Sequence, residues 1–228
     1  MYTNVNLAAP IGALALLATG FLLLTAGLTL GYSIVMKKSR LMKVALLTIA
    51  LLAGVYLAAV LIYSFASSEK VLARGEEKHF CEIDCHLAYS VTDVHETKVI
   101  GESSDQLTAA GVFRIVTIKT RFDETTIGRN RGDRLLYPNS RVVSINDENG
   151  TQYFPSAIAH SLLEKSQTTG TAMTIPLRPG ESYSTTLAFD LPADIKNPTL
   201  LINEGEFLTH FVIGHENSFL HKKTRFQL

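Results

Sequence analysis

No acidic residue precedes Glu69, and the 68 residues before it hold two long uncharged apolar runs parted by one short basic patch, Lys37, Lys38, Arg40 and Lys43. Apolar runs of about 20 residues or more are long enough to cross a bilayer as helices, and Lys/Arg clusters in short connectors stay on the cytoplasmic side. The segregation therefore predicts a membrane hairpin with its turn inside and both chain ends outside. The first run, residues 8–36, would be roughly 43 Å long at 1.5 Å per residue, more than the ~30 Å hydrocarbon core, so it must tilt or protrude. Pro10 suits a helix start, where its missing N–H is not needed. The second run, residues 44–66, matches the bilayer more closely. A cleaved signal sequence is not expected: the first run is about twice the length of a signal's apolar region, and no basic stretch precedes it.

Small residues recur on one stripe of each run, with Ala13, Gly20, Gly27 and Gly31 on the first and Ala50, Gly54 and Ala58 on the second. In lipid, such stripes let helix backbones approach closely. Their plain use is to pack the two helices on each other, and their other use is to dock a partner's helices. Neither run contains an ionisable residue, which transport pathways, proton relays and voltage sensors require.

The 160 residues after Ser68 carry 17 of the 21 basic residues against all 21 acidic ones, which makes this part mildly acidic. It has no basic face to neutralise phosphates, and nucleic acid is excluded as a partner. It is of ordinary size for one domain with its own core. Short segments rich in β-branched and aromatic residues cover 87–94, 112–122, 141–146, 151–154, 171–175, 183–189, 199–203 and 208–213, which predicts an antiparallel sandwich. In 112–122 the apolar residues do not alternate strictly, the mark of a central strand covered on both faces. Asp147, Glu148, Asn149 and Gly150 read as a hairpin turn, as do Pro179 and Gly180. Residues 156–165 alone look helical.

The order of that central strand, then Val142-Val143-Ser144-Ile145-Asn146 with its turn and Thr151-Gln152-Tyr153-Phe154, then Leu177-Arg178-Pro179-Gly180-Glu181-Ser182-Tyr183 before Leu187-Ala188-Phe189-Asp190-Leu191-Pro192, resembles the telokin-like, immunoglobulin-fold domains of unknown function on bacterial envelope proteins. The resemblance covers about residues 85–228 and implies a fold and an envelope location but no catalytic residues. The expected architecture is an N-terminal two-helix transmembrane hairpin (1–68), a linker with a Cys-His cluster (69–86) and an all-β immunoglobulin-like sandwich (87–228). The expected address is the inner membrane, with the sandwich on the periplasmic side.

The densest chemical cluster is His79, Phe80, Cys81, Glu82, Ile83, Asp84, Cys85 and His86. An oxidising compartment permits a disulfide between Cys81 and Cys85, whose spacing of four suits its reach. The same cysteines with His79 and His86 offer soft sulfur and imidazole to copper or zinc. Two spans before an outer β-domain is similar to cytochrome oxidase subunit II, whose copper cysteines are also four apart. Here, however, Ile83, Tyr89 and Thr92 stand where that family has Glu, His and Met. Cys81 to His86 is also a c-type haem string with one extra residue. A reactive thiol pair is disfavoured by Glu82 and Asp84.

No nucleophile elbow, phosphate-cradling glycine loop or His-Glu-x-x-His motif occurs, so an enzyme is not expected. His95, His160, His210, His215 and His221 are read as surface residues, with His210 and His215 on opposite faces of one strand. The polar stretch 123–134, with Arg129, Arg131 and Arg134, is the longest expected loop and the first candidate for partner contact. These features together point to a non-catalytic accessory subunit beside another membrane protein, with no cofactor. The rival is an electron-transfer or metal-handling subunit carrying copper or haem c at Cys81, Cys85, His79 and His86.

Overall fold

The computed structural model of the chain describes residues 8–80, 86–102, 105–128 and 131–228. They fall into two compact units: residues 8–68 together with Glu206–Lys222, and the described residues of Glu69–Gly205 together with Lys223–Leu228.

In the first unit, α1 (Ala8–Val35) and α2 (Ser39–Ala66) form a hairpin whose turn places Lys37 in the left-handed region at φ 53°. Both helices are long and apolar enough to cross a membrane. Burial shows how they meet. Leu16, Thr19, Leu23, Ala26, Leu30 and Ser33 form a covered line along α1, and Ala45, Ile49, Leu52, Tyr56, Val60 and Ser64 one along α2. Steps of three and four alternate on α1, and α2 runs mostly in steps of four, the spacings at which side chains on one helix face meet a neighbouring helix. The stripe of Gly20, Gly27 and Gly31 lies off this seam, as do Ala50, Gly54 and Ala58. All six are exposed, and a Cβ built on any of the four glycines would meet nothing within 4 Å. The small residues therefore do not join α1 to α2. Thr25, Thr29 and Ser33 donate back to carbonyls of their own helix, as such hydroxyls do in apolar surroundings.

The second unit is built from two sheets. One is ordered β1 (Lys70–Leu72), β9 (Thr224–Gln227), β8 (Thr199–Glu204), β5 (Arg141–Asn146), β6 (Gln152–Tyr153). The other runs β2 (Lys78–Phe80), β3 (Leu87–Ile100), β4 (Leu107–Phe122), β7 (Ser182–Leu191). Leu72, Val143, Ile145, Leu200, Ile202 and Phe226 of the first share one core with Phe80, Tyr89, Val91, Val116, Ile118, Phe122 and Phe189 of the second. Strand β4 explains the broken alternation. Its even positions Val116, Ile118 and Phe122 enter this core, while Phe113 and Ile115 face the opposite side under Ala159, Leu162 and Leu163 of α3 (Ala157–Lys165). The Ser156 hydroxyl caps α3 by accepting from the amide of Ala159.

The turn at Asp147–Gly150 is as expected: the Asp147 carboxylate accepts from the amides of Asn149 and Thr151, and Gly150 takes φ 83°. Four expectations need correction. The pairing of β1 with β9 is parallel, so the domain is not purely antiparallel. The stretch 69–86, expected to be a linker, supplies β1 and β2. Residues 171–175 form no strand, because Gly170 at φ 69° leaves only an isolated bridge to Thr185. Residues 208–213 are not a strand either: Phe207–Phe211 is a 3-10 turn belonging to the helical unit.

Candidate functional site

The strand pairing of β2 with β3, and of β3 with β4, brings residues 44 apart in sequence side by side. His79 of β2 lies 3.1 Å through Nε2 from Oδ2 of Asp123, the residue just after β4. Arg121, two residues earlier on the same side of β4, donates from Nε and Nη2 to the two carboxylate oxygens of Glu77 at 2.8 and 2.7 Å. Its Nη1 lies 3.3 Å from Asp123 Oδ1. Asp123 Oδ1 also accepts from the amide and hydroxyl of Thr125 at 3.0 and 2.7 Å, where the chain enters a one-turn 3-10 helix. The His79 and Asp123 side chains retain only 6% and 5% of their exposure. His86, next to the start of β3, stacks on Phe122 and pairs with the Thr126 hydroxyl.

Burial alone would push the Asp123 carboxyl up, but hydrogen bonds from Thr125, His79 and Arg121 hold it well below the ordinary carboxylate range. Glu77 is also lowered, chiefly by its hydrogen bonds from Arg121, and the Arg121 guanidinium is raised by the same pairing. One guanidinium gripping a carboxylate bidentately is the strong form of this contact. The set is an ion-pair knot tying β2 to β4. Glu77, His79 and Asp123 also offer donor atoms within 4.8 Å of one another, and these are the described residues that would hold a metal ion. A cation there must share both carboxylates with Arg121.

Of the sequence candidates, His79 lies in this knot and His86 beside it. Cys81, Cys85 and Arg129 lie outside the described residues. Arg131 lies over the ring of Phe122 at 4.8 Å and donates to the carbonyl of Arg134, whose side chain is exposed. His210 and His215 are not on opposite faces of a strand: both bond to Asn217, the first through its carbonyl and the second through its amide. His160, expected at the surface, lines a cavity of about 530 Å³ with Glu164, Arg141, Phe154, Met173 and Leu187. Asp123, the partner of His79, and Arg121, the partner of Glu77 and Asp123, carried no local sequence signal, since they reach β2 only through strand register.

Comparison with solved structures finds weak resemblances. A conserved hypothetical protein from Bacillus anthracis is 18% identical, with 57% of this chain and 87% of that one aligned at a TM-score of 0.42. The secreted protein MPT63 from Mycobacterium tuberculosis is 12% identical, covering 71% and 98% at 0.42. The yjhA protein from Bacillus subtilis is 16% identical, covering 68% and 98% at 0.40. No protein-family model and no curated protein matches the chain.

Proposed function

We propose that the chain is a membrane-anchored, non-catalytic accessory subunit whose hairpin docks against the helices of a larger membrane protein and carries an immunoglobulin-like sandwich on the periplasmic side of the inner membrane. The observation that carries this reading is the bare glycine stripe. Gly20, Gly27 and Gly31 of α1 and Gly54 of α2 have open space where a side chain would stand, while the hairpin's own seam is made by other residues. Close backbone approach by a second set of helices is what such a surface suits.

The test exploits that open space. A Cβ added at Gly27 or Gly31 meets nothing within 4 Å, so a subunit carrying Gly27→Leu with Gly31→Leu should keep its helicity while losing every stoichiometric partner seen by native mass measurement of the mild-detergent extract. A wild-type chain that extracts as a clean monomer overturns the reading.

The second reading is a metal- or haem-bearing electron-transfer subunit at Cys81, Cys85, His79 and His86. It is favoured by the donor set of Glu77, His79 and Asp123, which begins four residues before Cys81. A Soret band, or a thiolate-to-copper absorption lost in Cys81→Ser, would establish it.

A further inference from the structure

The segment Glu206–Lys222 shows large apolar side chains on its outside: Phe207, Leu208 and Leu220 retain 65% or more of their exposure and Phe219 45%, while Val212 is buried. Asn217 and Ser218 are buried, and the polar groups around them are bonded to one another. His210 Nδ1 pairs with the Asn217 carbonyl at 2.7 Å, the Asn217 amide side chain donates to the Thr209 hydroxyl at 2.6 Å, and the Asn217 backbone amide donates to His215 at 2.9 Å. The Ser218 hydroxyl donates to the carbonyl of Val212. A loop in water has no need to satisfy its polar groups internally, whereas one in contact with lipid must. The rings of Phe207, Phe211, Phe219 and His210 then pack edge-on or stacked into one aromatic cluster.

The segment's height along the hairpin is fixed by three contacts. Tyr56 of α2 donates its hydroxyl to the carbonyl of Phe211 at 2.8 Å, and the backbone of Ile213 lies directly on Gly12 of α1. The amide of Lys222 donates to the Ser67 hydroxyl, just past the end of α2, at 2.8 Å. At 1.5 Å per residue, Tyr56 stands about 26 Å and Gly12 about 35 Å from the helix ends at the basic turn. These heights bracket the ~30 Å boundary of the hydrocarbon core. At the same level the helices themselves present Ile11, Leu14, Ile62 and Phe65, each more than 60% exposed. The segment's few formal charges, Glu206, Glu216 and Lys222, suit the headgroup zone rather than the hydrocarbon interior. Phe and Leu side chains on an interfacial segment bury at the boundary between headgroups and acyl chains.

We propose that Glu206–Lys222 is a bilayer-interface cap, a re-entrant segment that seats Phe207, Leu208, Phe219 and Leu220 among lipid at the hairpin end away from the basic turn. This rests on the hairpin crossing the membrane. The cap makes the anchor wider than two helices and fixes where the hairpin floats. Its occupant is lipid, because the polar groups are already satisfied and the exposed surface continues the apolar band of the helices.

The chain has no tryptophan, so single reporters can be placed without background. Leu208→Trp and Phe219→Trp are introduced separately into the full chain reconstituted in phosphatidylcholine vesicles. Leu51→Trp reports on the hairpin and Tyr137→Trp on the sheet unit. The cap reporters should show blue-shifted emission, resist acrylamide and be quenched at least twofold more by lipids brominated near the headgroup end of the chain than by lipids brominated near the terminal methyl. Leu51→Trp should show the reverse lipid preference, and Tyr137→Trp should respond to acrylamide alone. Cap reporters quenched by acrylamide and untouched by brominated lipid overturn the proposal. So do cap reporters shielded from both quenchers, which would mean protein cover. If Leu51→Trp itself escapes brominated lipid, the membrane-spanning reading falls and the cap with it.

Discussion

Gly12 is the position where one added carbon has the largest consequence. A Cβ built there would lie 2.9 Å from the carbonyl carbon and 3.0 Å from the nitrogen of Ile213, with the carbonyl oxygen nearer still. Comfortable contacts begin at about 3.5 Å between carbons and little closer between carbon and oxygen, so the carbonyl oxygen sets the shift and Gly12→Ala must drive the Ile213 backbone away from α1 by upward of ~1 Å. Both sides of the clash are backbone, and neither can swing aside as a side chain would. Overpacking of this kind costs about 1–3 kcal/mol. Phe211 is two residues away in the same compact turn, so the displacement also strains its bond to Tyr56, a further ~1 kcal/mol. Even the lower end of that sum, about 2 kcal/mol, multiplies the population of detached segment roughly 30-fold. Proteolysis that is slow relative to reclosing tracks that population. Chymotrypsin should therefore cut the Gly12→Ala chain in micelles at Phe207, Phe211 or Phe219 roughly 30 times faster than wild type. Gly20→Ala, with nothing within 4 Å of its methyl, should cut at the wild-type rate. Equal rates for Gly12→Ala and Gly20→Ala would refute the close packing of the segment on α1.

Removing only the Tyr56 hydroxyl gives a smaller effect of the same sign: Tyr56→Phe should raise the cleavage rate about 5-fold, for the ~1 kcal/mol of a single hydrogen bond. Asp123 and Glu77 have lowered folded-state pKa values, so their stabilisation is complete above the unfolded carboxylate pKa of about 4 and is lost as pH falls through the folded values. Asp123→Asn should cost about 3 kcal/mol at pH 7, as when one partner of a buried pair is removed, with the gap to wild type closing in acid. Circular-dichroism melts of the full chain across pH will show this, and a pH-independent gap would sink the ion-pair account. Buried Lys78 donates to the carbonyls of Ile202 and Thr224 at 2.7 and 3.1 Å, bridging β2 to the other sheet, so Lys78→Met should lower stability by about 2 kcal/mol. An unchanged melting temperature would contradict that role. Tyr183, pushed up to about 12 by burial and then by Tyr89, should be absent from the tyrosines that ionise near pH 10 in an absorbance titration.

The parts legible in the sequence are those with strong local periodicity. The uncharged runs give α1 and α2, Asp147–Gly150 gives its turn, and the doubled apolar pattern of 112–122 gives a strand covered on both faces, with α3 supplying the second cover. Strands β1, β2 and β9 are three or four residues long and include Lys70, Lys78 and Arg225, so no alternation can build up; tertiary pairing alone makes them strands. Residues 208–213 read as a strand because Phe211, Val212 and Ile213 have strand chemistry. Bonds among His210, Asn217 and Ser218 override that preference and fold the segment on itself. The helix seam was hidden for a related reason: glycines mark their own stripe, while the covered positions are ordinary Leu, Ala, Thr and Ser on α1 and Ala, Ile, Leu, Tyr and Val on α2. The knot of Glu77, His79, Arg121 and Asp123 exists only through register across three strands, and no local pattern announces it.

Impermeant-thiol labelling of single cysteines in a Cys81→Ser, Cys85→Ser chain tests the membrane arrangement most directly. Tyr137→Cys, at a site 69% exposed in the sheet unit, should label in intact spheroplasts, and Lys38→Cys in the basic turn should label only after lysis. Labelling of both before lysis, or of Lys38→Cys alone, would contradict a hairpin that separates its turn from the β-domain by a bilayer.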